Sequence, residues 1–173
     1  MVMLQLLACQ CLCLAPSGPE MDLAAESGRV ESIFAGPFSG AVEDAPGDDR
    51  DGVRFDPCAI AGQPFEVALD VAPAECHACK EASYALSGTL TIGEDDPIPL
   101  SGAVEVWSGE DGPAVFQVFL EAPATFPHET LEVADVAGER LEDAEVERFD
   151  WARRTSPDDA ALTVWESCSL PAQ

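Results

Sequence analysis

Cysteine carries most of the chemistry open to this chain. Four of its seven cysteines, Cys58, Cys76, Cys79 and Cys168, lie in the long body that follows an apolar N-terminus, and Cys76-His-Ala-Cys-Lys80 sets two of them three residues apart. Such thiols serve two ends. As thiolates, the four could hold a tetrahedral zinc ion, with His77 or His128 as substitutes. One Cys-x-x-Cys falls short of the double pair that makes a zinc pattern specific. As disulfides, the four allow three pairings, and spacing does not choose among them. A bridge from Cys58 or Cys168 to the Cys76–Cys79 turn would close a long loop and stabilise the fold by about 2–4 kcal/mol. Disulfides through Cys58, Cys76, Cys79 and Cys168 are the expectation for an oxidising compartment, and zinc for a reducing one.

Other chemistry is thin. Asp48-Asp-Arg-Asp-Gly52 puts Asp49, Asp51 and Gly52 where an EF-hand loop has positions three, five and six. Gly47 and Cys58 would then occupy positions one and twelve, so both anchoring ligands fail. A looser calcium site at this loop or at Glu94-Asp-Asp96 is the weaker alternative to solvated loops. The chain has two histidines, no Gly-x-Ser-x-Gly and no phosphate-cradling glycine loop. No catalytic residue and no cofactor is assigned. Cys-x-x-Cys closed by His, or more rarely Lys, is a haem-attachment pattern, and Lys80 is the only lysine. A haem domain would need helices around the ring and a second axial ligand, for which only His128 offers itself. Trp107, Trp151, Trp165 and Tyr84 could form a ligand platform, although isolated aromatics in strands usually belong to the core.

Two resemblances bear on function. Leu69-Asp-Val-Ala-Pro-Ala-Glu-Cys-His-Ala-Cys-Lys80 is similar to the active-site segment of thioredoxin-like proteins. That resemblance implies a strand leading into a helix whose N-terminus lowers one thiol pKa, with the other cysteine resolving the mixed disulfide. It covers about a dozen residues, and the further βα units of that family have no counterpart. Leu6-Leu-Ala-Cys9 resembles the lipobox of bacterial lipoproteins. The resemblance implies cleavage before Cys9, lipid on its thiol, and a domain working outside the cytoplasm on a membrane tether. Only eight residues precede Cys9 and the first basic residue is Arg29, so the positive region of such a signal would lie upstream of Met1. The alternative is a short apolar helix packed on the domain. The stretch is too short to span a bilayer, which takes about 20 apolar residues. With Cys9 lipidated, six cysteines remain, an even number suited to pairing.

Charge excludes partners more firmly than motifs supply them. Thirty-three acidic residues against eight basic ones give a net charge of −25. Such a surface repels phosphate backbones and anionic headgroups, which excludes nucleic acid and leaves the lipid anchor as the only membrane contact. An envelope protein or a small ligand remains as partner. Acid excess with one lysine resembles the proteins of salt-adapted organisms.

The elements that must position these residues read as strands. Residues 1–15 form the signal or anchor segment, 16–28 a linker, and 29–173 a single β-rich domain. Arg29–Phe38 reads as a first strand and 39–52 as an acidic loop. Phe65–Val71 alternates apolar and polar residues, which marks a half-buried strand. Residues 73–86, with Ala74, Ala78, Ala82 and Ala85, read as the one short helix. Strands follow at Thr89–Ile92, Ile98–Ser108, Ala114–Leu120, Leu131–Val136, Val146–Ala152 and Ala161–Glu166, with a hairpin turn at 109–112. Short strands punctuated by Gly, Pro and Asp predict a mainly β fold, an antiparallel β-sandwich or barrel-like meander. The function expected is an exported, acidic, envelope-associated binding or structural lipoprotein domain, leaning away from an enzyme. A thiol–disulfide oxidoreductase using Cys76 and Cys79, or a zinc-stabilised cytoplasmic domain of a halophile, are the alternatives.

Overall fold

Alternating side chains build two antiparallel sheets that face each other across one core. The computed structural model describes residues 22–45, 47, 49, 51–73, 81–108, 114–122, 129–138, 140–157 and 160–173. Sheet A takes β1 (Gly36–Ala41), β4 (Pro64–Val71), β5 (Glu81–Ile92), β6 (Ile98–Ser108) and β7 (Ala114–Glu121) in that spatial order. Sheet B takes β2 (Glu43–Asp44), β10 (Thr163–Pro171), β9 (Glu145–Arg154) and β8 (Glu129–Ala137). One strand, β3 (Val53–Asp56), runs parallel to β10, pairing Val53 with Thr163 through Asp56 with Glu166. The fold is mainly antiparallel β with a single short helix, as the strand pattern leads one to expect.

The helix sits elsewhere than the alanine spacing suggests. Residues 81–86 are the start of β5, where Ala82, Tyr84 and Leu86 are buried and Glu81, Ser83 and Ala85 face out. A period of two wins over helix propensity here because those three side chains complete the core. Residues 74–80 lie outside the described residues. The helix, α1, is Leu23–Phe34, across the stretch read as linker end and first strand. Asp22 caps it by accepting from the amides of Ala24 and Ala25. Val30 and Phe34, one turn apart, are fully buried. Phe34 packs edge-on against Phe116, and the Ser27 hydroxyl donates to Tyr84 Oη, so α1 covers the inner face of sheet A.

The core lies between the sheets. Sheet A contributes Val67, Tyr84, Leu90 and Val104, and sheet B contributes Leu131, Phe149, Trp151 and Leu170. Phe38 meets Phe149 edge-on where β1 crosses to β2 and joins the sheets on one side. On the other side β7 and β8 approach without a ladder. Sheet A curls at Gly88 and Gly102. A Cβ at Gly88 would overlap the carbonyl oxygen of Ala68, and one at Gly102 that of Phe119. Glycine at both points lets long strands bend while the ladders persist. No helix among the described residues is long and apolar enough to cross a membrane.

Candidate functional site

Two of the four domain cysteines meet. Cys58, just beyond β3, and Cys168, on β10, form a disulfide with their Cα atoms 5.2 Å apart. Of the three pairings open to the four domain cysteines, this is the one that joins Cys58 to Cys168. Cys9, Cys76 and Cys79 lie outside the described residues, as do His77, Lys80 and His128.

The disulfide is held in a polar frame. Asp44 accepts from the Cys58 amide at 2.8 Å. Glu166, only 4% exposed, accepts from the Ala59 amide at 2.7 Å and from the Arg153 guanidinium at 2.8 Å. Arg153 also lies over the Trp151 ring, 5.3 Å from its centroid. Strand register makes Glu129, Arg153 and Glu166 one row across β8, β9 and β10. Burial pushes the Glu129 carboxyl above the usual carboxylate range; Arg153 opposes the shift and Asp95 adds to it.

The sulfurs of Cys58 and Cys168 and a Glu166 oxygen lie within 4.8 Å of one another, which is the one metal-like trio among the described residues. The sulfurs are bonded to each other and both carboxylate oxygens hold hydrogen bonds. This arrangement joins β3, β9 and β10, and it offers no open ligand atom. The acidic loops form no such cluster among the described residues. Asp49 accepts from the Phe55 amide at 3.0 Å and thereby shapes its own turn. Gly52 takes φ +78° there, and Asp48 lies outside the described residues.

The aromatic residues divide. Tyr84 and Trp151 are core, and Trp165 is half-buried. Trp107 stands 37% exposed and Phe119 49% exposed. Both face outward on sheet A, because the inward positions of β6 and β7 are the even-numbered ones, such as Val104, Val106 and Leu120. Register sets Glu81 opposite Trp107 and Glu105 opposite Gln117. Between the aromatics and β4 the floor is of small residues, Ser83, Ala85, Ser87, Ser101 and Ala103. The Ser83 hydroxyl donates to Glu105 at 2.9 Å. Sequence reading put Trp107 in a possible aromatic platform but with the wrong companions; Phe119, at the outward parity of an apolar strand, was the missed signal.

A separate open cleft of about 480 Å³ lies between α1, β1 and the start of β9, lined by Arg29, Ser32, Phe38, Glu142 and Glu145 among others. Its one guanidinium is paired with Glu26, which holds Arg29 protonated even more firmly than usual. The candidate site that remains among the described residues is the outer face of sheet A, with Trp107 and Phe119 exposed on it. No family model matches the chain, and no curated protein or solved structure matches it.

Proposed function

We propose that this chain is an exported, lipid-anchored binding or scaffolding domain of the cell envelope. The observation that carries the reading is the buried Cys58–Cys168 disulfide. Disulfides built into a core belong to oxidising compartments and are rare in the cytosol. The lipobox-like Leu6–Cys9 run supplies the tether, and the polar, turn-rich residues after it supply a spacer. The partner is an envelope protein or a small ligand; the acidity excludes nucleic acid. The described residues offer an open aromatic face and no set of groups arranged for bond-making chemistry.

The oxidoreductase alternative rests on Cys76 and Cys79, which lie outside the described residues; from Glu81 onward the chain is strand. The test of the proposed function is the intact mass of the protein made in a bacterium from its natural gene, before and after reduction and alkylation. A diacylglycerol adduct on Cys9, with Cys58 and Cys168 blocked until reduction, is the expected result. An unprocessed chain with free or zinc-masked thiols overturns it and moves the protein to the cytoplasm.

A further inference from the structure

The two sheets compose their charge differently: the strands of sheet A carry five acids and no cation, and those of sheet B, with β3, carry ten acids and four arginines. The strands of sheet A contain no lysine, arginine or histidine. Their acids, Glu66, Asp70, Glu81, Glu105 and Glu121, all fall at outward positions. Sheet B holds Arg54, Arg148, Arg153 and Arg154. The outer face of sheet A is therefore anionic with no cation in its strands, and it is also where the two exposed aromatics among the described residues stand. Each aromatic has carboxylate neighbours on that face. Trp107 has Glu81 across the ladder and Glu105 two residues away; Phe119 has Glu121 two residues away.

We infer that this face docks an extended basic polypeptide segment, a proposal that rests on the binding-domain reading above. An aromatic ring beside carboxylates suits a guanidinium or ammonium group, which gains from the ring face and from the charge together. Trp107 is in register with Val115 and Phe119 with Ala103, so the two rings are offset by four residues, about 13 Å along the strands. An extended chain repeats at the same rise. The face thus matches two basic side chains four residues apart, lying over the small-residue floor of β5 and β6. Charge complementarity selects this occupant over a second copy, because two chains of −25 repel.

The experiment titrates the oxidised full chain into a labelled peptide at physiological ionic strength. The peptide carries two arginines four residues apart in a Thr/Val/Gly background; its isomer carries them two apart. The expected result is tighter binding of the first peptide. Trp107→Ala and Phe119→Ala each weaken it about five-fold, and Glu105→Gln weakens it by a similar factor. Glu147→Gln and Glu43→Gln on sheet B, which remove the same unit charge, change it less than two-fold. Circular dichroism of each variant checks that the fold is intact. Equal weakening by the sheet B variants overturns the proposal, since the chain would then be acting as a generic polyanion. Absence of binding overturns it as well, as does a dimer by sedimentation that Trp107→Ala dissolves. Each outcome is read on purified protein, so failure here leaves the lipid and thiol masses that test export untouched.

Discussion

Removal of the Cys58–Cys168 disulfide gives the most quantitative test of the fold. The bridge spans 110 residues, from the end of β3 through every strand to β10. In the chain-entropy account, closing a loop of that length lowers the entropy of the unfolded chain by about 16 cal/mol/K, or about 4.8 kcal/mol at 25 °C. A domain of this size has about 5–15 kcal/mol in total, so the loss would take about a third of the margin or more. With a urea slope of about 2 kcal/mol/M, the midpoint should fall by about 2 M. The assay is urea unfolding followed by the fluorescence of buried Trp151, run at high salt to damp self-repulsion. Two samples bracket the effect. Cys58→Ala/Cys168→Ala removes only this bridge, at the added cost of lost core sulfur. The reduced wild-type chain keeps every sulfur but opens any Cys76–Cys79 bridge too. A shift below about 0.5 M in both would refute the reasoning, because the frame of Asp44, Glu166 and Arg153 would then be holding β3 and β10 without the covalent link.

Two further outcomes follow from particular contacts. Gly102→Ala places a methyl group against the Phe119 carbonyl and should destabilise by about 1–3 kcal/mol in thermal or urea unfolding. Gly28→Ala, in α1 with nothing within 4 Å, should stabilise by about 0.5–1 kcal/mol; equal effects at the two sites would show that sheet A is not bent at Gly102. Glu129 has a folded pKa raised by burial, so its contribution is favourable while the carboxyl is protonated and is lost as pH rises through the folded value. Glu129→Gln should therefore raise stability near neutral pH relative to wild type, and the gain should vanish below the ordinary carboxylate value of 4.5; a gain that persists in acid would refute burial as the cause.

Strands declared themselves in the sequence where their faces differ in polarity. Ile98–Ser108 and Phe65–Val71 alternate cleanly, and the ladders of β6 and β4 cover those stretches. At residues 81–86 the alanines masked that alternation, since the inward residues are Ala82, Tyr84 and Leu86 and the outward ones are as small as Ser83 and Ala85. Alanine fits a buried strand position as readily as a helix, and only pairing with β6 settles the matter. The helix at Leu23–Phe34 was hidden by Ser27, Gly28 and the β-branched residues near its end; its stability comes from burying Val30 and Phe34 rather than from propensity. The short strands β2 and β3 lie in or just beyond an acidic stretch with no periodicity, and they exist because β10 presents an edge to pair with. The Cys58–Cys168 pairing was one of three open choices, decided by β3 running alongside β10. The row of Glu129, Arg153 and Glu166 was illegible for the same reason: register alone aligns residues so far apart in the chain.

The placement of the few arginines ties the fold to the proposed interaction. Arg29 pairs with Glu26, Arg54 with Asp56, Arg140 with Glu142, and Arg148 with Asp135 and Asp150. Arg153 is bound to Glu166 and Arg154 to the Pro157 carbonyl. Exposed pairs of this kind add little stability each. Their arrangement nonetheless neutralises charge on α1, the 3₁₀ turn at Leu141–Asp143 and sheet B, where strand edges and the disulfide frame crowd acids together. Every described cation is engaged there, and among the described residues none offsets the acids of sheet A. Acids lie on both sheets, and the exposed aromatics among the described residues, Trp107 and Phe119, stand on the sheet whose strands carry no cation. That coincidence of Trp107 and Phe119 with carboxylates unaccompanied by arginine is the observation on which the proposed recognition face rests.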